Sequence, residues 1–379
     1  MSEINDILML HDRVIKQSEK CAFATVISTN GPSYRSAGSR SLIIEDGTFG
    51  GGLSAGCLEG DIACRLDGNS SPFIVEYDLS EEDDIRGFPF GCGGTVQVFV
   101  EPLPNASALN AVQWLCELHE AAVLLTVVKV SETSKSKKSK VAVGARFGIS
   151  ESGDLSFIDG ISESYQPDFE LICKAVQQNK QSILLLTEIE QQTLTVFAEF
   201  FEPAINLAIF GDGEDARILQ SLAQEVGMNV SRISRHDVRA SVSLLEEIPS
   251  LHRSYAVVMT HDLNLDTKVL NQLIPHLPPY LGVMGPRSRT EKMLASLGAD
   301  PAAMLARAEF YAPVGLNMAA ETPSEIALSI VAEIQTVSRK AQPKHLRDLS
   351  GAIHERWQEN KSECASKPAP SDKRIASNA

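Results

Sequence analysis

Residues 205–213 read Ile-Asn-Leu-Ala-Ile-Phe-Gly-Asp-Gly, and they decide the fold of the C-terminal half of the chain. The apolar run predicts a buried strand, and the glycines directly after it predict a tight turn. A helical period of apolar residues then continues to Gly227, which marks the end of a helix. Strand, glycine turn and helix in this order begin a nucleotide-binding βαβ unit, so this half is predicted to be Rossmann-like.

Working outward from this stretch, the sequence predicts an α/β protein of two domains and a tail. Residues 1–203 combine a first helix, several strand-like runs and three further helices, which indicates a mixed α/β domain. Residues 204–340 alternate strands and helices as in a doubly wound parallel sheet, and their last helix begins at the capping box Thr322-Pro-Ser-Glu325. Residues 341–379 are polar without an apolar period, which predicts a disordered tail. No internal repeat is evident.

Composition excludes several classes of function. The net charge of -15 argues against a nucleic-acid partner or an anionic membrane surface, because both require a basic protein surface. The seven cysteines are odd in number and scattered, and the N-terminus does not resemble a secretory signal. No apolar run approaches the ~20 residues that span a bilayer. We therefore expect a cytoplasmic protein with no membrane and no nucleic-acid partner.

A glycine-rich stretch in the N-terminal half is the first candidate site. Gly50, Gly51 and Gly52 would let main-chain N–H groups converge on an anion, and a helix beginning near Ser54 would add its positive end. Cys57 would lie in the first turn of that helix, where the same field stabilises a thiolate as a nucleophile or soft-metal ligand. The alternative is a tight hairpin turn beside a buried structural cysteine.

The predicted helix after the glycines has two distinct faces. One face is apolar and is predicted to pack against the domain, and it consists of Leu58, Ile62 and Leu66. The opposite face is predicted to stay accessible, and it consists of Cys57, Asp61 and Cys64.

A second cysteine also has glycine neighbours. Cys92 lies in Gly-Cys-Gly-Gly, directly before the strand-like residues 95–101. A structural zinc site is disfavoured, because neither thiol belongs to a CxxC pair and the interval between Cys57 and Cys92 is long. The two cysteines could still meet in space at one pocket.

The glycine turn of the C-terminal half fits G-x-G-x-x-A through Gly211 and Gly213. Three carboxylates stand where a pyrophosphate would bind and would repel it, namely Asp212, Glu214 and Asp215. The acidic residue expected about 20 positions later to hold a ribose is replaced by Ser234 and Arg235. Two interpretations stay open: a site for a 2′-phosphate at Arg235, or a Rossmann scaffold whose dinucleotide site is lost or altered.

Two further loops follow strand ends, where open α/β sheets bind ligands. His261 is a candidate acid, base or metal ligand, and the alternative is a capped loop in which Asp262 or Asp266 bonds backbone N–H groups. Arg287 and Arg289 lie at the start of a helix, which suits the capture of a phosphate.

These motifs together resemble the XdhC/CoxI family, the accessory proteins that mature xanthine dehydrogenase, CO dehydrogenase and related molybdenum hydroxylases. The N-terminal half resembles the family in residues 31–38 (Gly-Pro-Ser-Tyr-Arg-Ser-Ala-Gly), in the two glycine-flanked cysteines and in the strand that follows. The C-terminal half resembles it in residues 258–262, 282–287, 312–316 and 321–330. Several segments in the same order cover most of the chain, which makes the resemblance specific.

The resemblance implies a chaperone rather than a turnover enzyme. Such a protein binds the molybdenum cofactor (molybdopterin, in its mononucleotide or dinucleotide form), protects it during sulfuration and delivers it to an apo molybdenum hydroxylase. The implied partners are that apo enzyme and a cysteine desulfurase, and we expect a homodimer. By their chemistry Cys57 and Cys92 would contact the metal or its sulfur, Arg35 and the Gly50–Gly52 loop the phosphate, and Glu59 would orient the site.

The sequence departs from the family pattern at its would-be nucleotide pocket. The family commonly has an alanine and a histidine where this chain has Asp212 and Glu214, and an acidic residue near Ser234. Two other functions therefore stay under consideration. One is an NAD(P)-dependent oxidoreductase that uses Gly211, Gly213 and His261, and the other is a sulfur carrier with a persulfide on Cys57.

Overall fold

The computed structural model describes residues 2–17, 19–79, 94–103, 107–132, 141–189, 192–244 and 254–348. It separates into two compact units, one made mainly of Ile7–Phe201 and the other mainly of Glu202–Pro343. The predicted site residue Cys92 and the predicted tail beyond residue 348 lie outside the described residues. No helix among the residues described is long and apolar enough to cross a lipid bilayer.

The N-terminal unit contains two antiparallel sheets of five strands. The first sheet has the order β3-β2-β1-β5-β4 and consists of β1 (Cys21–Asn30), β2 (Arg40–Ile44), β3 (Phe49–Gly51), β4 (Phe73–Asp78) and β5 (Thr95–Pro102). The second has the order β8-β7-β6-β10-β9 and consists of β6 (Ala122–Glu132), β7 (Arg146–Ser150), β8 (Ser156–Asp159), β9 (Ile183–Ile189) and β10 (Gln192–Phe201). Four helices accompany them, α1 (Ser2–Gln17), α2 (Cys57–Arg65), α3 (Ser107–Glu117) and α4 (Gln166–Asn179).

The two sheets repeat one chain path. In each, a central strand is followed by two strands on one side, then by a helix, an edge strand and a strand that returns to the centre. The match extends to single residues, since Thr25 pairs with Arg40 in the first sheet as Thr126 pairs with Arg146 in the second. The expectation of no internal repeat is therefore wrong. The repeat lies in strand pairing and in a few polar positions, which a search for sequence similarity does not see.

Both central strands also carry an irregularity at the same position. The strand register skips Ile27 in β1 and Val128 in β6. Beside each skip a glycine with positive φ, Gly38 at 94° and Gly144 at 90°, donates its N–H to the carbonyl of the preceding strand residue. Such bulges bend a strand locally and increase its twist, so the two central strands share this feature at equivalent positions.

The sheets share an interior that contains apolar and charged side chains. Its apolar part includes Ile27, Phe99, Val128 and Phe197. Arg40 of the first sheet forms an ion pair with Glu199 of the second, and Arg146 of the second forms one with Glu101 of the first. All four charged residues are buried. Because an unpaired buried charge is strongly destabilising, these reciprocal pairs fasten the two sheets together.

The C-terminal unit is a parallel sheet with helices on both faces, as the sequence predicts. Its strand order is β12-β11-β13-β14-β15, with β11 (Asn206–Phe210), β12 (Asn229–Ile233), β13 (Tyr255–Val258), β14 (Leu281–Val283) and β15 (Phe310–Tyr311). The helices are α5 (Glu214–Glu225), α6 (Arg235–Ala240), α7 (Leu263–Leu273), α8 (Arg287–Ser296), α9 (Pro301–Leu305) and α10 (Pro323–Ser338). Helices α5 and α10 pack on one face, and α6, α7 and α8 on the other. The direction of the strand order reverses between β11 and β13, which is where such sheets bind ligands.

Candidate functional site

Three segments that carry or adjoin predicted site residues leave the first sheet at the same end of its strands. We call this end of the strands the loop edge. The three segments are residues 31–39 between β1 and β2, residues 52–56 between β3 and α2, and residues 80–93 between β4 and β5. Strand pairing places them there, since Asn30 and Asp78 both pair with Thr95, and Ser41 pairs with Gly51. Arg35 and the turn before Cys57 therefore lie at the loop edge, whereas residues 80–93, which include Cys92, lie outside the described residues.

Gly94 fixes the end of the third segment against the first. A Cβ atom added to Gly94 would lie 2.3 Å from the Pro32 carbonyl oxygen and 2.7 Å from that of Asn30. The N–H of Leu79 donates to the Gly94 carbonyl at 2.7 Å, which closes the base of the segment. A glycine is required here because no side chain fits between these two backbones.

Arg35 occupies the first segment. The residue is half-buried, and its carbonyl accepts a hydrogen bond of 2.9 Å from the Ser33 hydroxyl, which stabilises the turn. The neighbouring Tyr34 is 63% exposed. The segment therefore presents a cation and an aromatic ring at the loop edge.

The three glycines serve strand pairing more than an open loop. Gly50 and Gly51 belong to β3, and the Ser41 hydroxyl donates to the Gly50 carbonyl at 3.0 Å. Gly51 has a φ of 84°, and a Cβ there would lie 2.5 Å from the Arg40 carbonyl oxygen. The N–H of Gly52 donates to that same carbonyl at 3.0 Å. The free turn after the glycines begins only at Leu53.

Glu59 organises that turn from within. Its side chain is fully buried, and it accepts hydrogen bonds from the N–H groups of Leu53 at 2.7 Å and Ser54 at 3.0 Å, and from the Ser54 hydroxyl at 2.5 Å. Burial by itself would raise the pKa of this carboxyl, but the hydrogen bonds from Ser54 and Leu53 outweigh it and lower the pKa. Glu59 is therefore an anion held by the loop, and it acts on the site by fixing the backbone.

Cys57 begins helix α2 and is exposed. The preceding Gly56 holds the N-cap position with a φ of 109°, and the ring of Phe49 lies 3.8 Å from where a Gly56 Cβ would be. The Ser54 hydroxyl oxygen accepts hydrogen bonds of 3.1 Å from the N–H groups of Gly56 and Leu58. The thiol thus sits at the positive end of a helix whose first turn is held rigidly.

The two predicted faces of α2 are confirmed. Leu58, Ile62 and Leu66 are buried in the core of the first sheet, whereas Cys57 and Cys64 are exposed. Asp61 accepts a hydrogen bond of 2.7 Å from the hydroxyl of Tyr77 on β4, which holds the helix against the sheet. Each cysteine among the described residues is a free thiol.

The second candidate site lies at the strand reversal of the C-terminal unit, where Gly211 and Gly213 join β11 to α5. One ion pair and one hydrogen bond occupy it. Asp212 bonds the Arg235 guanidinium at 2.6 Å, and Asp215 bonds Nε2 of His261 at 2.6 Å. The Asp215 carboxylate lies so close to Gly213 that a Cβ there would be 2.6 Å from its oxygen. A carboxylate of the chain therefore stands at the helix end where a dinucleotide would place its pyrophosphate.

The other predicted residues of this site have partners nearby. Asp262 is the N-cap of α7 and accepts from the N–H groups of Asn264 at 2.9 Å and Leu265 at 3.2 Å, as the capped-loop alternative expects. Arg287 is exposed and bonds Glu291 at 3.0 Å. His261 has a left-handed backbone with a φ of 61° and is more than half exposed.

Arg289, which the sequence paired with Arg287, is directed elsewhere. It forms an ion pair of 2.7 Å with the buried Asp266, which also accepts from the N–H and hydroxyl of Thr260. This arrangement links α7 and α8 to the segment that follows β13 and is structural. Within the described part of the chain, no group of three or more His, Cys, Asp or Glu side chains could hold a metal ion.

Comparison with known proteins finds matches in both halves of the chain. The family described as XdhC and CoxI matches residues 14–68, and the XdhC Rossmann domain matches residues 207–334. Each half of the chain thus matches a model of an XdhC-type protein. The first match ends just after α2 and so includes the Arg35 segment and Cys57, and the second includes the whole strand reversal of the C-terminal unit.

Several known proteins resemble the chain over most of its length. A protein from Bacillus subtilis described as a probable xanthine dehydrogenase subunit is 28% identical over 87% of this chain and 97% of its own. The molybdenum cofactor insertion chaperone PaoD from Escherichia coli is 24% identical over 87% of each chain. A crystal structure described as a xanthine dehydrogenase from Bacillus halodurans covers 90% of this chain and 97% of its own, with a TM-score of 0.63 and 25% identity.

Sequence reasoning about this XdhC-like chain misses two residues of the loop edge. The sequence indicates Ser54 only as the start of a helix, whereas its hydroxyl links Glu59 to the first turn of α2. Phe49 lies in a short strand that no pattern indicates, and its ring flanks Gly56. The S-x-x-x-x-E spacing from Ser54 to Glu59 is the signal that could have revealed the link.

Proposed function

We propose that this protein binds the molybdenum cofactor, protects it while a terminal sulfur is installed, and assists its insertion into an apo-hydroxylase of the xanthine dehydrogenase type. Relatives that match most of the chain carry the names of a molybdenum cofactor insertion chaperone and of a xanthine dehydrogenase subunit. The cofactor is cargo in this proposal, and the protein acts by binding and transfer rather than by turnover. A cysteine desulfurase is the proposed source of the sulfur.

The observation that carries the proposal is the exposed Cys57 thiol at the loop edge. The cargo combines a soft metal–sulfur centre with a phosphate, so its carrier needs a sulfur ligand beside a group that binds anions. Cys57 offers the sulfur, and Arg35 in the neighbouring segment offers a guanidinium. Glu59 contributes indirectly, because its hydrogen bonds fix the turn from which Cys57 projects.

Cys92 is the second proposed sulfur contact. Its segment joins β4 to β5 and therefore leaves the same edge of the sheet as the Arg35 and Cys57 segments. Two residues later, Gly94 lies against Pro32 in the Arg35 segment. This placement supports the proposal that all three segments contact one cargo.

The alternative is an NAD(P)-dependent oxidoreductase, which the electrostatics of the C-terminal unit disfavour. The Asp215 carboxylate lies at the N-terminus of α5, and the Arg235 guanidinium already forms an ion pair with Asp212. Like charges at close range oppose the binding of a pyrophosphate. We therefore assign the cargo contact to the N-terminal unit. A fluorescence titration with NADPH is expected to show no saturation at millimolar concentration, and saturable binding with hydride transfer would favour the oxidoreductase.

Co-expression with an apo-hydroxylase and a cysteine desulfurase tests the proposal. We expect Cys57→Ala and Cys92→Ala each to lower the sulfurated cofactor in the client by at least about tenfold, as for the loss of a metal-site contact. Cys64→Ala is the matched control, since Cys64 is also an exposed thiol of α2, and it should leave the client unchanged. Normal sulfuration with both site variants would refute the assignment of the site.

Mass spectrometry of the protein after incubation with the desulfurase distinguishes the chaperone from the sulfur carrier with a persulfide on Cys57. A sulfur adduct on Cys57 would identify a sulfur carrier. An unmodified Cys57 together with cofactor binding agrees with the chaperone.

A further inference from the structure

Arg40 contacts two of the segments at the loop edge. It is the first residue of β2, directly after the Arg35 segment, and its Nε donates a hydrogen bond of 3.1 Å to the Gly38 carbonyl. Its own carbonyl accepts the N–H of Gly52 at 3.0 Å, at the start of the turn that leads to Cys57. Arg40 therefore holds the end of one segment through its side chain and the start of the other through its backbone.

Glu199 of the second sheet fixes the Arg40 guanidinium. The two side chains form an ion pair, and both residues are buried. The carboxylate also packs on the Arg35 segment itself, since a Cβ at Gly38, whose φ is 94°, would lie 3.1 Å from Oε1 of Glu199. Because the N–H donors of a guanidinium lie in one rigid plane, a carboxylate bound to one of them sets the direction of the others. The ion pair thus directs the Arg40 Nε–H at the Gly38 carbonyl.

The second repeat contains the same arrangement without a candidate site. Arg146 pairs with Glu101, and its Nη1 donates a hydrogen bond of 2.8 Å to the Gly144 carbonyl. Residues 133–145, which this pair supports, contain none of the predicted site residues. Both pairs join the two sheets, so the second pair is an internal reference for whatever the first pair does at the loop edge.

We propose that the Arg40–Glu199 pair positions the two contacts for the cargo by setting the distance between the Arg35 guanidinium and the Cys57 thiol. The pair would then favour a ligand that carries an anion and a soft metal or sulfur centre at one fixed separation. This inference rests on the proposed function, in which the cofactor brings its phosphate to Arg35 and its metal–sulfur centre to Cys57. Neither Arg40 nor Glu199 touches the cargo, and both act through the backbone that they hold.

Paired apolar substitutions separate this role from stability. Arg40→Met/Glu199→Leu removes both charges together, and apolar replacement of a whole buried ion pair leaves stability about unchanged. Arg146→Met/Glu101→Leu is the matched control in the other repeat. Loss of a group that orients a binding residue typically weakens a metal site about 10–100-fold. We therefore expect the first variant to bind molybdenum cofactor released from a purified hydroxylase at least about tenfold more weakly than the wild type, and the control to bind it normally.

The reactivity of Cys57 tests the geometry without the cofactor. In this assay alanine replaces every cysteine except Cys57 and the buried Cys21 and Cys173. An anionic disulfide reagent should react faster than a neutral one, because the Arg35 guanidinium attracts it. Arg35→Gln should lower this ratio of rates about threefold, as for the loss of one partly exposed charge pair. Arg40→Met/Glu199→Leu should lower the ratio equally, and the control pair should not.

Two results would overturn the proposal. One is a wild-type ratio of rates, or normal cofactor binding, in Arg40→Met/Glu199→Leu. The other is an equal loss in both double variants, because the pair would then act only through the packing of the sheets. If Arg40→Met/Glu199→Leu does not fold, Glu199→Gln against Glu101→Gln gives the same comparison with side chains of conserved size. Failure of the proposed function has a different signature, since a wild type that does not bind the cofactor leaves the ratios of rates to decide the geometry.

Discussion

Replacement of Glu59 by glutamine is expected to weaken the fold and to loosen the segment that presents Cys57. The buried carboxylate accepts three hydrogen bonds, two from backbone N–H groups and one from the Ser54 hydroxyl. A glutamine carbonyl can retain the two N–H bonds as neutral ones. Its amide nitrogen would face the Ser54 hydroxyl oxygen, which already accepts two backbone N–H groups. The third bond is therefore lost.

The expected loss of stability follows from these contacts. A hydrogen bond to a charged group contributes about 1.5–3 kcal/mol and a neutral one about 0.5–1.5, so two bonds weaken by about 1 kcal/mol each and a third disappears. Allowing for the partial exposure of Ser54, the free energy of unfolding should fall by about 3 kcal/mol, measured by urea denaturation. The control is Glu76→Gln, an exposed carboxylate with one side-chain bond, for which a loss below about 0.5 kcal/mol is expected.

The same variant should change the response to acid. The pKa of Glu59 is lowered in the folded state. The contribution of Glu59 to the free energy of unfolding is therefore complete above the pKa of the unfolded state, about 4.3, and is lost as the pH falls through the pKa of the folded state. The stability difference between wild type and Glu59→Gln should therefore be constant near neutral pH and shrink below about pH 4. In a Cys64→Ala background, the reaction of Cys57 with a disulfide reagent should also change rate. A Gln variant with wild-type stability and wild-type thiol reactivity would refute this account of the turn.

The remaining predictions concern the packing of the N-terminal unit. Arg146→Met should lower the free energy of unfolding, measured by urea denaturation, by about 3–5 kcal/mol, because it leaves the buried Glu101 without its cation. The double variant Arg146→Met/Glu101→Leu should recover most of that loss. Gly47→Ala should lower the free energy of unfolding by about 1–2 kcal/mol, because Gly47 has a left-handed backbone conformation. Gly51→Ala should lower it by more. A Cβ at Gly51 would also meet the Arg40 carbonyl at 2.5 Å, whereas nothing lies within 4 Å of one at Gly47, so equal losses would contradict the steric argument.

The parts of the fold that the sequence predicts are those with local signals. The last helix begins at Thr322 with Pro323 inside it and Glu325 completing a capping box, as the sequence indicates, because each contact spans at most three residues. The packed face of α2 also follows from its apolar period. The order of strand, glycine turn and helix after residue 205 predicts the parallel sheet of the C-terminal unit, which the structure confirms.

The start of α2 shows where local signals compete. Ser54 has the residue type of an N-cap, yet the helix begins at Cys57. The Ser54 hydroxyl bonds the N–H groups of Gly56 and Leu58 from outside the helix, while the left-handed Gly56 takes the cap position. Side-chain hydrogen bonds to nearby backbone groups compete with helix formation, and an apolar period does not indicate which of the two arrangements forms.

The missed repeat has a different cause, because its signature is long-range. The charged residues that are equivalent in the two repeats are Arg40 and Arg146, and Glu101 and Glu199. Each arginine pairs with a glutamate of the other sheet, and the partners are about 160 and 45 positions apart in the sequence. Nothing in the composition around them distinguishes a buried arginine from an exposed one. The sequence also does not predict strands β3 and β8, since three or four residues are too few to show an alternating pattern.

The reciprocal ion pairs explain why two repeats are present although only the first carries the predicted site cysteines, Cys57 and Cys92. A single sheet could not satisfy its own buried charges, because Arg40 and Glu101 lie in the first sheet and each finds its partner in the second. Leaving them unpaired would cost several kcal/mol each, a large fraction of the stability of a domain. The second repeat therefore has to fold with the first, while its loops are free of the constraints on Gly51, Gly56 and Glu59. That division lets the first repeat keep the exposed Cys57 thiol at the loop edge.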